Sequence, residues 1–257
     1  MSQTLKIIAH GDSWFDYPRL FWTGGGIPRH LSKLLKMPIQ NLAHHGDGTE
    51  QMLSIRKRKE LEAALPGADI LLFSGGGNDI AGDQFCIWLN DNIDGNVHRA
   101  IDRDRFDKAL DLIIATYNDL VLICMEFAPD CLIVTHGYDF PPPLMLGVGM
   151  FGCHFGGILG PWLRPSIVYC GWTDPKDQSE IIKIVLKRFN NRMIAWSKLD
   201  PAHRLHVPTQ GILTSTDWAN ELHPNYNGFE KHAAQFRLTL QTRVPLMRKN
   251  EISVFVN

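Results

Sequence analysis

Five short apolar or β-branched runs, at residues 5–9, 39–43, 70–74, 131–135 and 204–207, alternate along this chain with stretches of helical period. Each run ends in Gly, Pro or polar residues, the punctuation that closes a strand. The spacing predicts helices between and after them at 28–36, 49–64, 105–127, 179–199 and 227–242. In the fourth, Ile181, Val185, Phe189 and Met193 recur every fourth residue, with Ile182, Leu186 and Ile194 alongside, and so draw one buried stripe. Strand then helix, five times over, predicts a parallel sheet covered on both faces, since such strands are apolar on both sides and each crossover needs a helix. With 257 residues, 44% of them hydrophobic, the chain can bury one sizeable core, and a single domain over 1–257 is expected.

Charge narrows the partners. A formal net charge of −1 with both signs scattered gives no long-range field that would gather nucleic acid or an anionic membrane, so a small neutral or mixed substrate is the expectation. The basic run at 56–60 falls on a predicted helix and reads as a solvated face. The N-terminus shows neither a basic n-region nor a long apolar run, and no uncharged apolar stretch reaches membrane-spanning length. Five cysteines without C-x-x-C spacing speak against a disulfide framework and against a zinc site, which fits a reducing cytoplasm. One segment breaks the alternation: 138–174, rich in Pro, Gly and aromatics, is expected to be an insertion or cover over a binding site.

Ligands of an open parallel sheet sit beyond the carboxyl ends of its strands, so the residues that follow each run are the ones to compare. The first run leads to Gly11-Asp12-Ser13, the second to His44-His45-Gly46-Asp47-Gly48, the third to Gly75-Gly76-Gly77-Asn78-Asp79 and the fourth to His136-Gly137-Tyr138-Asp139. After the fifth, a loop carries His223 to the start of the last helix. A hydroxyl, flexible backbone, an amide and an imidazole on one rim are the inventory of acyl transfer: nucleophile, base and donors for an oxyanion. Gly-Asp-Ser alone is more often a turn, and Phe15 stands where the G-x-S-x-G elbow of another hydrolase class would need its second Gly.

In order along the chain, GDSW at 11–14, NLAHHGDGT at 41–49, GGND at 76–79 and NELHPNYNG at 220–228 resemble the four blocks of the GDSL or SGNH esterase and lipase family. The resemblance spans nearly the whole chain. It implies a three-layer α/β/α, flavodoxin-like fold with a five-stranded parallel sheet, and hydrolysis of a carboxylic ester without a cofactor or metal. It makes Ser13 the nucleophile, His223 the base, and the backbone N–H of Ser13, the backbone N–H of Gly46 and the side-chain amide of Asn78 the oxyanion donors. Gly46 is preferred to Gly48 because it lies five residues after Asn41, the usual spacing of the second block.

One position departs from that pattern. Three residues before the histidine, where the family carries Asp, this chain has Asn220. An amide oxygen can hold the imidazole tautomer but stabilises the imidazolium poorly; Asp217, six residues before His223, is the alternative orienter. Other features carry bland readings. GVGMFG at 147–152 lacks the strand-turn-helix setting of a dinucleotide loop, and His44-His45 reads as a polar cluster rather than a metal pair. Trp14, Phe15, Trp22, Phe151, Phe155 and Trp162 could line an acyl pocket or form core under a loop. Two further functions compete. His10, Asp12, Asp47, Asn78, Asp79, His136 and His223 sketch a two-metal phosphoesterase, although Asp79 stands where that pattern wants His. A non-catalytic binding module on the same fold would also tolerate Asn220.

Overall fold

The computed structural model of the chain describes residues 5–18, 24–142 and 161–244. Five strands form one parallel sheet: β1 (Ile7–Gly11), β2 (Ile39–Asn41), β3 (Ile70–Ser74), β4 (Leu132–His136) and β5 (Arg204–Val207), in the order β2-β1-β3-β4-β5. Every residue of β1 and β3 is buried, whereas β2 and β5 are partly exposed. The near-continuous apolar character of the first and third runs therefore marks central strands, and the polar admixture of the second and fifth marks edges. The helices are α1 (Ile27–Leu35), α2 (Thr49–Met52), α3 (Ile55–Ala64), α4 (Gly77–Ile80), α5 (Arg103–Phe127), α6 (Arg164–Tyr169), α7 (Pro175–Lys198) and α8 (Tyr226–Arg243). Packing of α1 on α8 and of α5 on α7 closes the two faces and completes the expected α/β/α layers.

This strand order reverses direction between β1 and β3, which opens a crevice at their carboxyl ends. The two strands come close there. A Cβ on Gly11 would lie 2.2 Å from the Ser74 carbonyl oxygen, and Gly11 has φ +149°, so only glycine serves at that point. The Asp12 N–H donates to the same Ser74 carbonyl at 3.0 Å. The chain beyond β2 keeps alongside β1, Leu42 N–H donating to Ala9 and His44 N–H to Gly11, and so delivers the loop at 44–48 to the crevice.

Two elements differ from the sequence reading. The helix predicted over 49–64 is broken at Leu53-Ser54 into α2 and α3. The Met52 carbonyl lies 2.9 Å from the buried His10 Nε2, and Ser54 has extended backbone before Ile55 restarts the helix. Within the aperiodic segment 138–174, residues 164–169 form α6; Trp22, Phe151, Phe155, Cys153 and the 147–152 motif lie outside the described residues. Cys86, Cys124, Cys131 and Cys170 are free. Among the described residues no helix is long and apolar enough to cross a membrane.

Buried imidazoles tie stability to pH. Desolvation lowers His136 to about 4 and both His223 and His232 to about 3. Unfolding returns each to the ordinary value near 6.5, so below that pH the unfolded chain binds the extra protons and stability falls. Asp12, which burial pushes up to about 6, opposes this only over the range between its ordinary 3.8 and that value. Each histidine contributes a slope of about 1.4 kcal/mol per pH unit. Urea midpoints are therefore expected to drop markedly from pH 7 to pH 5, and a flat profile over that range would contradict the burial described.

Candidate active site

Ser13 follows β1 on a tight turn in which the Asp12 carbonyl accepts from the N–H groups of Phe15 and Asp16. Its hydroxyl lies 2.7 Å from His223 Nε2, a partner 210 residues away in the chain. The turn and the histidine loop are also clamped directly, because Trp14 Nε1 donates to the Leu222 carbonyl at 3.1 Å. Both Ser13 and His223 are buried.

Asn220 fixes which nitrogen of His223 carries the proton. Its Oδ1 lies 2.8 Å from the backbone N of His223, 3.0 Å from that of Leu222 and 3.0 Å from His223 Nδ1. Its Nδ2 donates to the Tyr17 hydroxyl at 2.7 Å. Two backbone donors on one side and a hydroxyl acceptor on the other leave the amide a single orientation, with the carbonyl facing the ring. A carbonyl oxygen can only accept, so Nδ1 bears the hydrogen and the Nε2 lone pair faces Ser13. The Tyr17 ring stacks on the imidazole with centroids 4.2 Å apart, and Trp162 meets it edge-on at 5.5 Å. Under this cover, with an amide where a carboxylate would supply charge, desolvation takes His223 down to about 3.

Asp217 is engaged elsewhere. Its carboxylate accepts from Lys231 Nζ at 2.7 and 2.8 Å and from the Thr214 N–H and hydroxyl. Burial alone would raise it, but those donors outweigh burial and hold it below the ordinary carboxylate value.

Asn78 is the second residue of α4, which begins after Gly76, whose φ of +106° turns the chain out of β3. One of its amide hydrogens goes to the Asp47 carbonyl at 2.8 Å, which ties the loop at 44–48 to the same rim. Asp79 reinforces that tie through the N–H and hydroxyl of Thr49. Ser13, Asn78 and His223 line one cleft with Trp14. Gly46 sits on the adjoining loop at φ +84° and is exposed, outside the described lining of the cleft; the Gly48 N–H is taken by Gln51 Oε1.

The other sequence candidates separate cleanly. Phe15 is core, stacked on His136, while Trp14 is at once core and cleft wall. His44 and His45 stack on each other, His45 pairing with Asp16 at 3.4 Å. Residues of the two-metal sketch have partners within the protein: His10 reaches the Met52 carbonyl, His136 Nε2 lies 2.9 Å from Ser74 Oγ, and Lys57 pairs with Asp47. Among the described residues no group of three or more His, Cys, Asp or Glu is placed to hold a metal ion.

Several buried groups tie the rim together in ways the sequence does not mark. Asp12, 1% exposed, accepts hydrogen bonds from the hydroxyls of Ser74 and Tyr138 and from the Trp14 N–H. The Tyr138 hydroxyl in turn accepts from the Gly77 N–H at 2.9 Å. Glu221, also 1% exposed, accepts from the backbone N–H groups of Trp162, Leu163 and Arg164 and so joins the histidine loop to the start of α6. The only available signal was an acidic residue inside the fourth motif.

No protein-family model and no curated protein sequence matches the chain. Solved structures do. A lipase from a goat rumen metagenome is 16% identical with a TM-score of 0.56, over 92% of this chain and 97% of that one. A candidate SGNH hydrolase from Slackia heliotrinireducens is 12% identical, TM-score 0.54, over 93% and 100%. A family 3 carbohydrate esterase from Clostridium thermocellum is 15% identical, TM-score 0.54, over 96% and 98%. The chain has the fold these proteins share.

Glu221→Gln would set an amide N–H or a single oxygen against three converging donors. Hydrogen exchange at residues 162–164 is expected to speed up by at least about ten-fold, the cost of losing charge-assisted hydrogen bonds. Strands β1 and β3 should keep their protection. Unchanged exchange at 162–164 would show that the carboxylate does not hold this segment.

Proposed function

We propose that this chain, which has the fold of the SGNH hydrolases, cleaves a carboxylic ester through a serine acyl-enzyme. The observation that carries the proposal is the 2.7 Å separation of Ser13 Oγ from a His223 Nε2 whose lone pair is free to accept. His223 takes the Ser13 proton as the oxygen attacks the ester carbonyl. The tetrahedral oxyanion is received by the second amide hydrogen of Asn78 and the backbone N–H of Ser13, which share the cleft, with the backbone N–H of Gly46 on the adjoining loop as the third donor that the resemblance implies. His223 then protonates the leaving alcohol, and water repeats the cycle on the acyl-enzyme. Asn220 orients the imidazole, and Tyr17 holds Asn220. Lipases and a carbohydrate esterase among the proteins of this fold are consistent with ester chemistry.

Ser13→Ala is expected to cut hydrolysis of an aryl ester by at least about a thousand-fold and to abolish the mass adduct of a fluorophosphonate probe, with the thermal transition unchanged. Asn78→Ala should lower kcat by about a hundred-fold or more, the worth of one oxyanion donor, with a smaller effect on KM. Persistent turnover in Ser13→Ala would end the proposal.

The base must be neutral to act, so with His223 at about 3 the acid limb of kcat/KM should lie well below the ordinary histidine value of 6.5. Asn220→Asp supplies the missing charge, and Tyr17 can reverse its hydroxyl to donate to the new carboxylate. The expected result is a rise in kcat of about ten-fold or more and an upward shift of the acid limb. A fall in kcat with no shift would show that Asn220 is not the orienter.

A further inference from the structure

Ser13 opens on a cleft lined by the ends of β1 and α4, by α7 and by the histidine loop. Beyond the reacting groups its walls are hydrocarbon. Ile182, Val185 and Leu186 come from the apolar stripe of α7, Ile80 and Ala81 from the end of α4 and the residue after it, and Phe85 from the turn beyond. The polar side chains that share the lining are already occupied. Asp12 accepts from Ser74, Tyr138 and Trp14, and Tyr138 bridges Asp12 and Gly77. Asp139 accepts from the backbone N–H groups of Phe140, Gly211, Ile212 and Leu213. Apart from Ser13, Asn78 and His223, each polar side chain of the described lining spends its hydrogen bonds within the protein. A sugar hydroxyl entering here would leave water with nothing to replace it, whereas a methylene gains by leaving water.

We infer that this wall is an acyl subsite for an unbranched aliphatic chain longer than acetyl, so that the substrate is an aliphatic acyl ester rather than an acetylated carbohydrate. The inference rests on the serine hydrolase reading above. The side of the cleft follows from the chemistry. The leaving oxygen takes its proton from His223 and departs past the imidazole, while the wall formed by Ile80 and Ala81 continues from the segment that carries Asn78, on the oxyanion side. The acyl carbons therefore extend along α4 and α7.

The test is kcat/KM for p-nitrophenyl esters from acetate through butyrate, hexanoate and octanoate to palmitate, with acetylated xylo-oligosaccharides in parallel. Each methylene buried from acetate to hexanoate should raise kcat/KM by about four-fold. Ala81→Leu and Val185→Phe, which fill the wall, should each lower the ratio of hexanoate to acetate turnover by at least about ten-fold, the worth of two buried methylenes. That ratio is internal to each preparation, so a partly unfolded variant does not imitate the effect, and Ala81→Val offers a milder filling. Ser13 labelled by a fluorophosphonate, with acetate or the acetylated sugar turned over best, would overturn the acyl subsite and leave the hydrolase reading intact. Neither labelling nor turnover of any ester would overturn both.

Discussion

A buried carboxylate holds the rim of this sheet together. Asp12 leaves the end of β1 and gathers donors from Ser74 at the end of β3 and from Tyr138 just beyond β4, while His136 of β4 leans on the Ser74 hydroxyl. Three strands are thus joined directly beneath the nucleophile. Burial raises Asp12 to about 6, so at neutral pH it remains largely an anion kept in place by its donors. Other acids repeat the device around the same rim. Asp139 draws in the backbone that follows β5, Asp79 the start of α2, and Glu221 the start of α6. Loops without regular structure gain one fixed position from each, as a site that must align a hydroxyl with an imidazole requires.

The central strands were legible because burial on both faces leaves an uninterrupted apolar run, and the rim segments because ligand sites of such sheets follow the strands. The pairing of Ser13 with His223 was what the family resemblance implied, and the two side chains do meet. What stayed hidden depends on partners distant in sequence. The break at residue 53 had only Ser54, the N-cap of α3, to announce it, and the contact of the Met52 carbonyl with a histidine on β1 lies far off in sequence. The short helix α6 has no period to read, and the carboxylate at its start comes from residue 221. Chemistry alone favoured Asp217 as a partner for His223, yet Lys231, fourteen positions further along on α8, claims that carboxylate. Nothing in the sequence marks Tyr17 beyond its place before a proline; only the fold brings it face-on to the imidazole.

Asn220 therefore does one of two jobs. It fixes the tautomer as firmly as a carboxylate would, through two backbone donors and Tyr17, but brings no charge to the imidazolium. On the proposed mechanism that charge has another partner. Proton transfer from Ser13 creates imidazolium and oxyanion together, within one cleft whose walls are hydrocarbon and whose remaining polar groups are engaged. Where water is scarce the attraction between the two is weakly screened. That attraction does not by itself repay the hydration both charges lose in apolar surroundings, which is the burial that already lowers His223. With an amide at position 220, the proposed transition state therefore leans more heavily on the oxyanion donors, Asn78 among them, than it would with a carboxylate beside the imidazole.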